Sequence, residues 1–265
     1  MAGSARDVTI DPSVEVAAGG VSGLDAALHF LEGEPEDVAR YVLILDAINF
    51  GSGWFAALGT DTNALTERLT AHTRARGAPW SAFELRALTP ADVGAALGLD
   101  PAYELTRLYA EGLVQLGFWL GERSVMSRLG DSAEALAEDL AAMPFLADRG
   151  FYKRAQIAAH DLHLAGVVSF PDIGRLTVFA DNLVPHVLRS EGVLRYSDEL
   201  AALVDEGVEL PAGSRYEQEI RACGVHACEL IARRLEVAPA LLDNWLWNRG
   251  LELPGRPHVT RTTFY

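Results

Sequence analysis

The sequence predicts a mainly α-helical protein, all-α in class and folded as one compact domain. Three observations carry this. Apolar residues recur at three- and four-residue spacing along most of the chain. Helix start and stop residues punctuate those stretches. Strand signals are weak: even "YVLILDAINF", rich in β-branched residues, repeats better at helical than at alternating spacing.

Residues 1–20 read as a lead-in to a domain that fills the chain. "PEDVARYVLILDAI" sets Pro35 at a first helical position and aligns Val38, Tyr41, Val42, Leu45 and Ile48 in one stripe. That helix closes at Asn49 and Phe50, with Gly51 and Gly53 next. Those glycines serve either as a stop or as room for a ligand to approach the backbone, which makes Asn49 a candidate substrate contact. "DTNALTERLTAHTRARG" runs to a terminal Gly77, and Thr89 and Pro90 cap and open the next helix. A long apolar-periodic segment covers Pro101 to about Leu129, followed by helices over Ser132–Met143 and Tyr152–Ala165. Ser214 and Glu217 form a capping-box pattern that opens a helix through Arg234. Pro239 opens the last helix and Gly250 closes it, and the final "HVTRTTF" reads as extended.

Composition narrows the function. At 265 residues, with 49% hydrophobic and 22% charged, the chain reads as an ordinary soluble globular protein. No apolar run approaches the ~18 residues a membrane span needs. "MAGSARDVTIDPSV" lacks the basic start and apolar stretch of a secretory signal, so the expectation is a cytoplasmic monomer. The net charge of −15 repels a phosphate backbone and argues against a polynucleotide partner. A small ligand in a shielded pocket is compatible with it. Cys223 and Cys228 fall on different faces of a helix and are expected as buried thiols, unpaired. With His226 between them they lack a second ligand pair, so no metal and no cofactor is expected. Lys153 is the one lysine of the chain. Either it survives a bias toward arginine, or a compact ammonium is wanted there to meet a phosphate.

Chemistry-bearing residues gather in the last third. In "LLDNWLWNRG", Leu241, Leu242, Trp245 and Leu246 make an apolar face. Asp243, Asn244, Trp247 and Asn248 make the other, either a solvated face or the wall of a pocket for a flat heterocycle. "FPDIGRLTVFADNLVPHVL" seats Asp172 and Asp181 among apolar residues, where each either caps the helix that follows it or lines a pocket. His160 and His163 lack a metalloprotease spacing, and the glycines fit no phosphate-binding fingerprint.

"FYKRAQI", "FPDIGRLTVFADNLVPHVLRSEGVLRYSDEL", "EQEIRACGVHACELI", "LLDNWLWN" and "HVTRTTFY" together resemble the queuosine salvage protein family, the queuosine 5′-phosphate N-glycosylase/hydrolases. The likeness is densest from Tyr152 to Tyr265 and rests mainly on "LDAINF" in the first third. It implies an all-α fold like that of helical DNA glycosylases. It also implies metal-free hydrolysis of queuosine 5′-monophosphate to queuine and ribose 5-phosphate. By position, Phe170 and Asp172 match a Phe-x-Asp that contacts the base, and Asp243 matches the acid opening the C-terminal motif. Lys153 and Arg154 match a Lys-Arg pair. Asn244 and Asn248 stand where relatives carry tyrosine and aspartate, "FADN" replaces Phe-Ala-Asp-Tyr, and Leu183 replaces a common arginine.

The implied chemistry is physically coherent. A carboxylate such as Asp172 can accept from the ring N–H and exocyclic amine of a 7-deazaguanine. That base lacks N7, so it departs reluctantly, and an ionised carboxylate must stabilise the sugar cation. Asp243 is the candidate nucleophile or stabiliser, and Asp181 the water-activating base or scaffold. Lys153 and Arg154 would hold the 5′-phosphate. Three rival readings use the same residues: a non-catalytic nucleobase- or nucleotide-binding protein, a helical interaction protein, and a DNA glycosylase, the last opposed by the charge.

Overall fold

A computed structural model describes residues 1–17, 19–20 and 23–265 of the chain; Ala18, within the expected lead-in, lies outside the described residues. The chain is mainly helical, as its periodicity predicts. Its residues sort into two compact units, each described by itself. A terminal unit gathers the described residues up to Gly20, residues 176–263 and Tyr265, and a central unit comprises Gly23–Arg175 with Phe264.

In chain order, strand β1 (Val8–Ile10) belongs to the terminal unit. The central unit then supplies α1 (Pro35–Ala47), α2 (Ser52–Leu58), α3 (Thr62–Arg76), α4 (Ala82–Ala87) and α5 (Pro90–Leu97). It continues with α6 (Glu104–Leu120), α7 (Met126–Leu129), α8 (Ala133–Leu140) and α9 (Lys153–Leu164). The terminal unit resumes with α10 (Leu183–Ser190), β2 (Leu194–Tyr196), α11 (Asp198–Glu206), α12 (Arg215–Leu235) and α13 (Pro239–Gly250).

Local chemistry sets most boundaries of the central unit. Pro35 starts α1, where a missing N–H costs nothing. Asp61 caps α3 through Ala64 N at 2.8 Å. Full capping boxes open α4 (Ser81 with Glu84) and α5 (Thr89 with Asp92), each meeting two otherwise orphaned N–H groups. The long helix expected to about Leu129 is two helices instead. Gly121 ends α6 at φ +63°, ψ −140°, a conformation open to glycine but not to a side chain. Glu36 of α1 then ties down the link before α7, accepting from Ser124 Oγ at 2.6 Å and Val125 N at 2.8 Å. Among the described residues no single helix is long and apolar enough to cross a membrane.

The terminal unit contains what the periodicity missed. β1 and β2 pair antiparallel, Val8 opposite Tyr196 and Ile10 opposite Leu194. Val8, Val16 and Leu194 are buried with Val187, Leu188, Ile220, Leu242 and Leu246, so the lead-in is part of the core. Cys223 and Cys228 are free and buried in the same core. Burial pushes both thiols up, Cys223 to about 11, which leaves them poor nucleophiles. Near the C-terminus, Val259 bridges Glu209 in parallel, the extended segment expected there.

Candidate active site

In the terminal unit the site is built on α13 and the 178–182 segment. Asp243 is 4% exposed, and its Oδ1 accepts the main-chain N–H of Phe179 at 2.8 Å. The other members of its face, Asn244, Trp247 and Asn248, are half-buried. Trp245 and Trp247 are both half-buried against the same core. Asn244 and Asn248 spend their amide N–H groups inside the helix, on Ala240 O at 3.0 Å and Asn244 O at 2.8 Å. Each keeps its amide oxygen as an acceptor.

Asp181, also buried, takes the N–H of Val184 at 3.0 Å, so it caps the first turn of α10 as the sequence allowed. Asn182 donates to the carbonyl of His258 at 3.2 Å. Arg221 of α12 donates through Nε to Ala180 O at 3.0 Å. Sequence reasoning did not single out Arg221. Its signal was present, since a cation one turn beyond Glu217 on a helix that buries Ile220 and Cys223 needs partners inside.

The central unit holds the other sequence-predicted residues. Phe170 is buried, and its N–H donates to His163 Nδ1 at 3.3 Å. Asp172 does cap a helix, but not the 3-10 turn Ile173–Arg175 that follows it. Its carboxylate reaches α8, accepting from Ser132 Oγ at 2.6 Å, Ala133 N at 2.8 Å and Glu134 N at 3.3 Å. Burial alone would raise its pKa; those three donors outweigh it and hold the acid below its usual range.

Lys153 and Arg154 open α9, both buried, and they part company. The Arg154 guanidinium closes the C-terminal end of α1, donating to Ala47 O at 2.7 Å, to Asp46 O at 3.3 Å and to the carbonyl of Phe145. It lies 4.6 Å from the centre of the Phe50 ring. Burial pulls its pKa down to about 9, with Asp46, Tyr109 and Asp148 opposing, so it remains a cation at neutral pH. In this structure the Arg154 guanidinium of the expected phosphate pair is engaged by main-chain carbonyls. Lys153 donates its main-chain N–H to Asp148 at 3.4 Å.

Asp46, which the sequence reading passed over within "LDAINF", is 1% exposed beside this pair. No hydrogen bond of ordinary geometry reaches either carboxylate oxygen among the described residues. Burial and then Asp161 drive its pKa well up, against the nearby Asn49 amide, Lys153 and Arg154. Asn49 is half-buried one turn beyond it. At Gly51 (φ +122°) a Cβ would meet Phe55 at 2.9 Å and Leu105 at 3.0 Å. The space beside that glycine is filled by side chains; α1 already ends at Ala47, Gly51 is the N-cap of α2, and Gly53 lies inside α2. Among the described residues no group of His, Cys, Asp and Glu is arranged to hold a metal ion.

Comparison with known proteins agrees with the motif order. Residues 147–265 match the family model described as Queuosine salvage protein. A Sphaerobacter thermophilus protein named queuosine 5′-phosphate N-glycosylase/hydrolase is 34% identical over 90% of this chain and 84% of its own length. One of the same name from Dictyostelium discoideum is 31% identical over 87% and 79%. A Mus musculus protein, again so named, is 38% identical over 43% of this chain and 40% of its own. With a buried acid on α13 held by the "FAD" segment, and with relatives alike over nearly its whole length, this chain belongs to the queuosine salvage protein family.

Proposed function

We propose that the protein hydrolyses the N-glycosidic bond of queuosine 5′-monophosphate, releasing queuine and ribose 5-phosphate for salvage into tRNA modification. Family membership supports the reaction, and one observation supports its centre. Asp243 is an acid withdrawn from water yet supplied with a main-chain N–H by Phe179. An N–H donor stabilises carboxylate charge, and fixed charge in a dry site is what a developing sugar cation requires. In the reaction the bond from C1′ to the base nitrogen breaks and its electron pair leaves with the base, which takes up a proton. The oxygen of water bonds to C1′ and its proton passes to a carboxylate. Asp243 stabilises the cation or captures it. Asp181 carries the scaffold role, through its bond to Val184 N.

The test is direct. The purified protein is incubated with queuosine 5′-monophosphate and free queuine is measured. Release by the parent, with a loss of at least about 100-fold in Asp243→Asn and an unchanged melting profile, supports the reading. Binding of queuine without release would support the nucleotide-binding alternative. Near-normal turnover in Asp243→Asn would remove that residue from the chemistry.

A further inference from the structure

Four buried side chains lie behind the 178–182 segment and take no part in the reaction above: Glu217 and Arg221 on α12, His258 and Tyr265. They are joined in a row. Arg221 Nη1 pairs with Glu217 Oε1 at 3.2 Å, one helical turn away. The Tyr265 hydroxyl donates to the same oxygen at 3.2 Å, and His258 Nε2 stands 3.0 Å from that hydroxyl. With the phenolic proton given to Glu217, His258 must offer an Nε2–H, and its Nδ1 is left without a partner. Burial and the neighbouring Arg221 push His258 down to about 3, so the imidazole is neutral at working pH. The Arg221 guanidinium also lies 4.7 Å from the centre of the Tyr265 ring.

The row ends on the catalytic segment. Arg221 Nε holds Ala180 O, the residue between Phe179, which binds Asp243, and Asp181, which caps α10. His258 holds the other end, its carbonyl accepting from Asn182. Glu217 is held at the start of its helix, its Oε2 accepting from Gly213 N at 3.1 Å, while its Oε1 is shared between Arg221 and the tyrosine.

We propose that Tyr265 is a positioning residue: its hydroxyl orients Glu217 and Arg221, and so sets where the Phe179 N–H meets the Asp243 carboxylate. The catalytic half of this rests on the hydrolase reading; the clamp itself does not. Displacement of about 1 Å at a reacting centre is enough to cost on the order of 100-fold in rate, so a hydroxyl remote from the substrate can register in turnover.

Tyr265→Phe keeps the ring and its packing and deletes only the hydroxyl. Two readouts are taken on the 265-residue protein: amide hydrogen exchange along residues 179–184, and kinetics on queuosine 5′-monophosphate. Exchange there is expected to quicken about 10-fold, the scale of one net hydrogen bond. In step with it, kcat falls by about 10-fold or more while KM stays within about twofold. Parental exchange in the variant would overturn the clamp, and quickened exchange with an unchanged kcat would overturn the positioning role. If Tyr265→Phe does not fold, Glu217→Gln, which deprives Arg221 of its ionic partner, carries both readouts. A parent that releases no queuine would defeat the hydrolase reading, while the exchange result would still decide the clamp.

Discussion

Asp172→Ala should destabilise the protein by way of a helix that begins thirty-nine residues earlier, at Ala133. The acid accepts from Ser132 Oγ, Ala133 N and Glu134 N, the last at a long 3.3 Å. Ser132 keeps its own bond to Ala135 N at 3.1 Å, so α8 retains one cap in the variant. What disappears is the partner of Ala133 N, worth about 1 kcal/mol as a cap, and a negative charge at a helix N-terminus, worth roughly 0.3–1 kcal/mol. The sum is about 1.3–2 kcal/mol, or a fall of about 3–8 °C in melting temperature for a chain of this size. Asp172→Asn keeps an oxygen for Ala133 N and should fall in between. Asp172→Ser should match alanine, because serine is too short to reach α8. The pKa of Asp172 is lowered in the fold, so its stabilisation is complete above the unfolded value of about 3.9 and is lost as pH drops through the folded value. The gap between parent and variant should therefore close only below about pH 4. Thermal melts of the four proteins at pH 7 and pH 3 check this, and an Asp172→Ala melt within a degree of the parent at pH 7 would refute it.

Other outcomes follow from the same contacts. Lys153→Ala should shrink any preference for queuosine 5′-monophosphate over the bare nucleoside, by about 1.5–3 kcal/mol in relative kcat/KM; equal rates on both in the parent would exclude a phosphate role. Arg154→Met strips the end of α1 of its donors and should cost about 3 kcal/mol or more in urea melts, well beyond an exposed arginine. His258 has a folded pKa near 3 against about 6.5 unfolded, so the unfolded chain binds a proton that the fold refuses. Stability should be full above about pH 6.5 and decline toward pH 3, with a shallower slope in His258→Gln. Cys228, its thiol pushed up chiefly by burial, should resist alkylation until the protein unfolds.

Helix boundaries were legible where a side chain acts on its own backbone. Pro35, Thr89, Ser214 and Pro239 each stand within a residue of a helix start. Distance in the chain hid the rest. Three-residue strands at Val8 and Leu194 carry too little pattern to announce a pairing made across the whole chain. Gly121 looked like one more residue of a periodic run, because its left-handed backbone is a property of the fold. Of the acids, Asp181 was found through its apolar neighbours and Asp243 through the polar face it shares with the indole of Trp247, and both are buried. Asp172 was found in the same way as Asp181, and its reach to α8 was not, because capping rules look only to the adjacent turn. Arg154 was taken as half of a basic pair, since adjacency in sequence says nothing about which carbonyls lie inside. Glu217 was half right: Ser214 does cap α12, while the Glu217 side chain turns to Gly213 N, Arg221 and Tyr265.

The pairing of β1 with β2 has a consequence for how the chain is made. Val8 must find Tyr196 across about 190 residues, an open loop whose closure costs on the order of 4–5 kcal/mol in chain entropy. Most of that loop is the central unit. On a ribosome its helices α1 to α9 emerge complete before α10 exists. The N-terminal segment waits through all of this synthesis with two core residues, Val8 of β1 and Val16 after it, still uncovered. Assembly thus runs from the middle of the chain outward, and the acid on α13 is placed among the last events.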